Sequence, residues 1–370
     1  MSATDIIDRI REPLEGPNTI GNSRGFWIGF LIMLGVASVY PLLVGSFQAG
    51  NTALFLLYGL LALSLSVVWG YAGVLSFGQV VFFGFAGYTF GIVSLNLSST
   101  LGTMVAIPVA VLIATVVAFL LGYFMFYGRV TGVFVAIITL VTTIVMETFM
   151  AQTAGSEWAI GDVELGGFNG MPGIPAISVG TESAAVAFRG ELFYWLVLFL
   201  LVTSYLGLRV LANGQFGYAM VGVRENEDRV AMLGYDVRRV KLAVFTLGGS
   251  LAGLSGVLYA SWGNYIDPTV FSLAFATLPI IWVTIGGRES LIGAVLATVS
   301  IEWFRQQLAV TGSEYALVVV GLLLLLVVLL LPEGIVPYLH RKFVDFSEQR
   351  RDAGEKDDRP PAASTEEVPE

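Results

Sequence analysis

Cysteine is absent from the 370 residues, and histidine occurs once, at His340. The first absence excludes a disulfide framework and thiol chemistry, and the second leaves little scope for a histidine-based metal site, so no metal or cofactor is expected. Charge is scarce as well. Only 13% of residues are Asp, Glu, Lys or Arg, against about 25% in an ordinary soluble domain. No G-x-x-x-x-G-K-[ST] run occurs, so the chain has no ATP site of its own. The first residues also lack the basic flank, short apolar core and small-residue cleavage site of a secretory signal, with Asp5, Asp8, Glu12 and Glu15 scattered among them. The first apolar segment is therefore expected to remain as a permanent span.

What is present is hydrocarbon, with 56% of residues hydrophobic. Crossing roughly 30 Å of bilayer core at about 1.5 Å per residue takes about 20 apolar residues. Ten segments meet or approach that length: 26–44, 52–69, 78–97, 102–126, 130–150, 192–211, 240–262, 272–285, 291–308 and 315–331, the eighth being the shortest. The 209–241 connection holds six Lys or Arg, whereas the 151–191 loop holds only Arg189. By the positive-inside rule the former is cytoplasmic. Ten spans with both termini inside satisfy this and the basic residues at Arg9, Arg11, Arg24, Arg129, Arg341 and Lys342 together. The expectation is an all-α polytopic protein of the cell membrane with about ten transmembrane helices, some broken, and cytoplasmic N- and C-termini.

Three regions follow. Residues 1–25 form a cytoplasmic segment in which Ile6, Ile7 and Ile10 share one helical face, suited to lying on the membrane until Pro13 ends the helix. Residues 26–338 form the transmembrane domain, with a cytoplasmic loop at 212–240 and an extracellular loop at 151–191. Residues 339–370 are an acidic tail whose composition cannot bury a core, and disorder is expected there.

Ion-driven transporters keep ionisable residues within spans, because charge must move with the coupling ion. Here only Glu147, Glu302 and Arg305 fall inside spans, and Glu302 and Arg305, three residues apart on one helix, are placed to pair. An intramembrane hydrolase needs a nucleophile with a histidine, or paired acids, within the membrane. The sole histidine is outside, so an enzyme is not expected. An ion-coupled carrier or passive channel acting alone stays open as an alternative to an ATP-driven system.

Glycine recurs in "GYAGVLSFGQVVFFGFAGYTFG", at Gly70, Gly73, Gly78, Gly84, Gly87 and Gly91, with Ser76 and Gln79 as polar groups. One reading is close helix packing through small-xxx-small spacing. The other is a helix broken over Gly70 to Gly78 that lines a translocation pathway with Gly70, Gly73, Ser76, Gly78 and Gln79. A second such stretch, "LGGSLAGLSGVLYASW" at 247–262, is compatible with an internal repeat.

Against this background "VRENEDRVAMLGYDVRRVK" at 223–241 is a charged island with five basic and four acidic residues. At roughly 2.5 to 3.5 kcal/mol per charge near the bilayer centre, burying nine would cost on the order of 20 kcal/mol or more, so the segment belongs in water. Asn226 is placed to cap a short helix, Glu227 and Asp228 suit its N-terminal dipole, and Gly234 supplies a left-handed stop. "DVRRVK" reads as a second short element. A plain solvated connection that only sets topology fits the same residues.

Residues 214–260 resemble the cytoplasmic loop and following span of permeases from ATP-binding-cassette importers of the branched-chain amino acid and urea class. The resemblance continues through "IIWVTIGGRESLIGAVLA" at 280–297, "LPEGIV" at 331–336, "GYAGVLSFGQVVFFGFAGY" at 70–88 and "GGFNGMPGIP" at 166–175. It covers most of 50–338. The resemblance implies a permease subunit paired with a homologous permease subunit, two cytoplasmic ATP-binding subunits and an extracellular solute-binding protein, in a lipid bilayer and without nucleic acid. It implies that Glu225, Asn226, Glu227, Arg229, Leu233 and Gly234 form the ATPase-coupling helix, and that Gly166, Gly167, Phe168, Asn169 and Gly170 dock the binding protein. "RENEDRVAMLGYD" and "GGRESLIGAV" look more like the urea-type subunit, and "GGFNGMPGIP" like the branched-chain amino acid subunit. The lack of charge clusters in the spans suits a small, net-neutral solute of either kind.

Overall fold

A computed structural model of the chain describes residues 12–181, 184–310, 316–330, 334–339 and 341–342. The expected surface helix before Pro13 and nearly all of the acidic tail lie outside the described residues.

The architecture is helical. In chain order the helices are α1 (Arg24–Val44), α2 (Ser46–Leu65), α3 (Gln79–Leu97), α4 (Thr100–Tyr127), α5 (Val133–Ala151), α6 (Gly190–Asn213), α7 (Gln215–Glu225), α8 (Glu227–Met232), α9 (Val237–Gly263), α10 (Leu273–Gly286), α11 (Leu291–Val310) and α12 (Ala316–Leu330). Each of the ten apolar segments coincides with a helix, and among the described residues seven helices are long and apolar enough to cross a bilayer alone. The pair α10 and α11, bent by 119° at their junction, adds at most one more. α10 has 14 residues, under the roughly 20 that a full crossing needs, and the residues on either side of α12 lie outside the described ones.

α2 is the buried axis. It continues through a π-helical turn, Ser66–Tyr71, and packs against α6, α9 and α11. A second cluster joins α3, α4 and α9. On α4, Ala106, Ala110, Ala114, Ala118 and Gly122 recur every four residues and are all buried. Against this stripe lie Gly249 and Gly253 of α9, where an added Cβ would press into Ala118 and Ala114. The packing reading of the glycines is realised here, since small residues on both sides let the backbones close in. α1, α4 and α5 turn most of their apolar surface outward.

The bundle has two distinct ends. At one gather residues 17–23, Tyr71, Arg224, Arg288, Glu289 and Pro337, around a cavity of about 950 Å³. Arg129 from the α4–α5 connection lies at the same end, near Glu227 and Lys241. At the other end Ser46, Gly50, Phe188, Arg189 and Asn264 surround a smaller cavity, and Asn96 binds the carbonyl of Ile160. Short antiparallel pairings decorate this second end. β1 (Met171–Pro172) pairs with β4 (Tyr265–Ile266), and β2 (Ser178–Val179) pairs with β3 (Val186–Ala187).

Candidate functional site

The charged island folds as a helical elbow. α7 ends at Glu225, and Asn226 takes an extended conformation, φ −162° and ψ 103°, so that its side-chain oxygen accepts the Arg229 N–H at 3.0 Å. That bond satisfies one of the unpaired donors at the start of α8. Val230 turns inward over Gly222, where a side chain would collide with it. Gly234, at φ 89°, ends the helix in the left-handed region that a side chain disfavours. The segment "DVRRVK" is not a separate element. Asp236 accepts the N–H groups of Arg238 and Arg239 at 3.1 and 3.3 Å, so this stretch is the capped first turn of α9.

Arg224, in the last turn of α7, ties the elbow to two distant parts of the chain. Its Nη1 donates to the Gly70 carbonyl at 2.7 Å and stands 3.2 Å from the Glu289 carboxylate. Its Nε and Nη2 donate to Glu225 at 3.1 and 2.8 Å. Gly70 itself abuts the carbonyl of Arg288 so closely that a Cβ would overlap it. Gly73, at φ 72°, rests on the Arg224 backbone. Three elements therefore converge on one guanidinium: the broken end of α2, the α7–α8 elbow and the α10–α11 turn. Planar, five-donor geometry lets arginine serve several acceptors at once, which lysine cannot.

The five residues expected along a pathway divide here. Gly70 and Gly73 belong to the junction. The break itself runs from Ala72 to Gly78, because α2 widens into its π turn and passes beyond Gly70 before unwinding. Ser76, Gly78 and Gln79 are packed within the chain. Ser76 accepts the Gly78 N–H at 3.0 Å, and Phe77 donates to Thr139 of α5 at 3.1 Å. Gln79, 1% exposed, accepts from Ser64 at 3.3 Å, while its Nε2 has no partner among the described residues.

The six coupling-helix residues also divide. Glu225 is held by Arg224, and Glu227 binds Lys241 Nζ at 2.5 Å. Asn226 and Gly234 shape the helix ends. Arg229 and Leu233 are exposed, and beside them Met232, 86% exposed, is an outward apolar residue that the sequence reading did not single out.

At the opposite end, Gly166, Gly167 and Gly170 all adopt positive φ, 81°, 55° and 70°. The turn Gly167–Asn169 is held by Tyr265, whose hydroxyl donates to the Asn169 carbonyl at 2.7 Å. A Cβ on Gly170 would strike the Ile266 carbonyl. The result is a rigid turn that displays Phe168, 76% exposed.

Two further sites were only partly legible. Arg209, counted in the sequence as a loop cation, lies within α6 and is 1% exposed. It donates to the carbonyls of Leu14, Ile20 and Gly21 and to the side chains of Tyr205 and Asn22, clamping the N-terminal hook. Glu302 and Arg305 pair at 3.1 Å as their spacing suggests, and Glu302 also accepts from the Trp282 indole at 3.1 Å, joining α10 to α11.

Residues 49–328 match the family described as branched-chain amino acid transport system / permease component. The chain is 29% identical to the high-affinity branched-chain amino acid transport system permease protein LivM of Escherichia coli (strain K12), over 83% of this chain and 74% of that protein. It is 27% identical to the Salmonella typhimurium protein of the same description, with the same coverage. To the probable branched-chain amino acid transport permease protein LivM of Methanocaldococcus jannaschii it is 27% identical, over 47% of this chain and 53% of the relative. No solved structure matches.

Proposed function

Because the chain belongs to the branched-chain amino acid transport permease family, we propose that it is the membrane subunit of an ATP-driven importer for branched-chain amino acids. It pairs with a homologous permease, docks two ATPases on its cytoplasmic end and receives solute from an extracellular binding protein. The observation that carries this reading is the Arg224 junction. A short capped helix stands one residue beyond a guanidinium that grips both the end of the central helix and the α10–α11 turn. A push on α8 is thereby delivered to two broken points of the bundle.

The side assignment rests on charge. Arg129, Arg209, Arg224, Arg238, Lys241 and Arg288 lie at the elbow end and Arg189 at the other. By the positive-inside rule this charge supports a cytoplasmic elbow end and an extracellular 166–170 turn. The 212–240 loop is then the coupling loop, with the exposed Arg229, Met232 and Leu233 facing the ATPase and the other coupling residues holding the helix in shape. Gly166 to Gly170 present Phe168 to the binding protein. Solute passes beside the 70–79 break, along the edge of Gly73, Leu75 and Phe77 that remains accessible, while Ser76, Gly78 and Gln79 fix the shape of that edge from within.

The relatives, which are branched-chain amino acid permeases, favour branched-chain amino acids over urea or short amides. The test is reconstitution of the complete complex with the Met232→Asp/Leu233→Asp variant. Both residues are exposed, so the chain folds and inserts, but it no longer co-purifies with the ATPase and leucine uptake is lost. Uptake by the permease alone, with no ATPase present, would instead establish a carrier or channel. Competition of leucine uptake by urea would reopen the solute.

A further inference from the structure

α8 has a second flank that the proposed coupling role does not use. Away from Met232 and Leu233, its Glu227, Asp228 and Ala231 face the α4–α5 turn across a cavity of about 280 Å³. The remaining lining includes Arg129, Arg238 and Lys241 with Phe126 and Val130. Lys241 is neutralised by Glu227. Arg238 lies over the Tyr127 ring at 5.7 Å, and Arg129 is exposed, held at φ 59° in a backbone region that arginine seldom adopts. Beyond this pair of guanidinium groups the outer face of α4 carries Phe119, Tyr123, Phe124 and Tyr127, all exposed, with Tyr123 stacked on both Phe119 and Tyr127. Aromatic side chains in this pattern mark the depth at which headgroups meet acyl chains.

We propose that this cavity binds the headgroup of an anionic phospholipid, with its phosphodiester between Arg129 and Arg238 and its acyl chains along the aromatic face of α4. Two features choose this occupant. The cationic pair is continuous with a lipid-exposed apolar strip, which a soluble anion would not need. Asp228 also offers a carboxylate to a hydroxylated headgroup such as glycerol, whereas it would repel a second phosphate. The bound lipid touches the inner flank of α8, so membrane charge is linked to the position of the elbow. This inference needs only the placement of α4 in the bilayer and does not depend on the transported solute or on an ATPase.

The experiment is native mass spectrometry of the purified full chain with phosphatidylglycerol or phosphatidylcholine as probe. The wild type is expected to retain one phosphatidylglycerol more strongly than phosphatidylcholine. The Arg129→Gln/Arg238→Gln variant should bind it roughly thirty-fold more weakly, from about a factor of five for each surface cation removed. Arg189→Gln, at the opposite end, should bind as the wild type does. Raising salt to about 1 M, where the screening length falls to about 3 Å, should weaken retention in the wild type alone, a reading that requires no variant to fold. Equal retention of the two lipids, or full retention by the double variant, would overturn the proposal. So would displacement by inorganic phosphate, which would make this a soluble-anion site, or loss of the lipid on assembly with the ATPase, which would make it part of that interface.

Discussion

Replacing Arg224 with Met removes a group that touches all three elements, leaving Ser66 and Tyr71 to join the end of α2 to the α10–α11 turn, while keeping most of its aliphatic bulk. The Gly70 carbonyl is buried and accepts Arg224 Nη1 at 2.7 Å. Leaving such an acceptor without a donor costs about 1 to 3 kcal/mol. The pairing with Glu289 adds less, because the Glu289 side chain is half exposed and solvent screens it, to below about 1 kcal/mol. The junction is thus weakened by about 2 to 3 kcal/mol, too little to unfold a bundle buried along most of α2. If that energy transmits the movement of α8, transport per ATP hydrolysed falls by about thirty- to 150-fold, since each 1.4 kcal/mol is a factor of about ten. The assay is simultaneous measurement of leucine uptake and phosphate release in proteoliposomes containing the complete complex. Arg224→Lys should fall in between, because a single ammonium cannot reach Gly70, Glu225 and Glu289 together. A double-mutant cycle with Glu289→Gln should show an interaction rather than additivity. If folded Arg224→Met transports as much per ATP as the wild type, the junction is a structural staple and the transmission argument fails.

Two other changes probe the two ends separately. Asn226→Ala removes the cap of α8 and should cost about 1 kcal/mol of local helix stability. Coupled ATPase activity falls and is restored by Asn226→Asp, and failure of that rescue would show that the amide itself meets the partner. Gly170→Ala places a side chain at φ 70° and against the Ile266 carbonyl, a combined penalty of at least about 1 to 2 kcal/mol. It should displace Phe168 and weaken capture of the binding protein, read by titration of the solute-loaded binding protein onto the complex, while ATPase activity without binding protein is unchanged.

Local chemistry was readable wherever a residue's role depends on its near neighbours. Asn226 and Gly234 bound α8 as their types suggest, and Glu302 pairs with Arg305 because three residues bring side chains to one helical face. Glycine packing was readable as a spacing, but its partners were not, since nothing local couples Gly253 to Ala114. The clamp made by Arg209 was hidden for the same reason. A cation near a span end looks like a topology signal, and only the return of residues 14–22 to the end of α6 converts it into a buried clamp. The Arg224 junction joins positions 70, 224 and 289, whose separations along the chain carry no periodic signature. The angle between α10 and α11 was not readable, because Gly287 and the Arg288–Glu289 turn interrupt the apolar run and fold it back by 119°. Hydropathy records that interruption as a boundary without recording its angle.

Those pairings also change what the charged island presents to a partner. Of its nine charges, Arg224 and Glu225 bind each other, Glu227 binds Lys241, Asp236 binds Arg239, and Arg238 lies over Tyr127. The Glu227–Lys241 pair fastens α8 to α9 and Arg238 fastens α9 to α4, the Arg224–Glu225 and Asp236–Arg239 pairs are local to one helix end, and among the described residues Asp228 and Arg229 alone stand outside these interactions. The surface turned away from the bundle is instead apolar, with Met232, Leu233 and Tyr235 all exposed. Exposed large apolar groups on a water-facing turn are retained where they are buried on association, and a few such anchors dominate binding energy. On the proposed reading, charge in this segment holds the elbow in shape and the apolar tip grips the ATPase. The two are separable by mutation because the ion pairs lie along the end of α7, the start of α8 and the start of α9, whereas Met232, Leu233 and Tyr235 lie at the end of α8 and in the turn that follows.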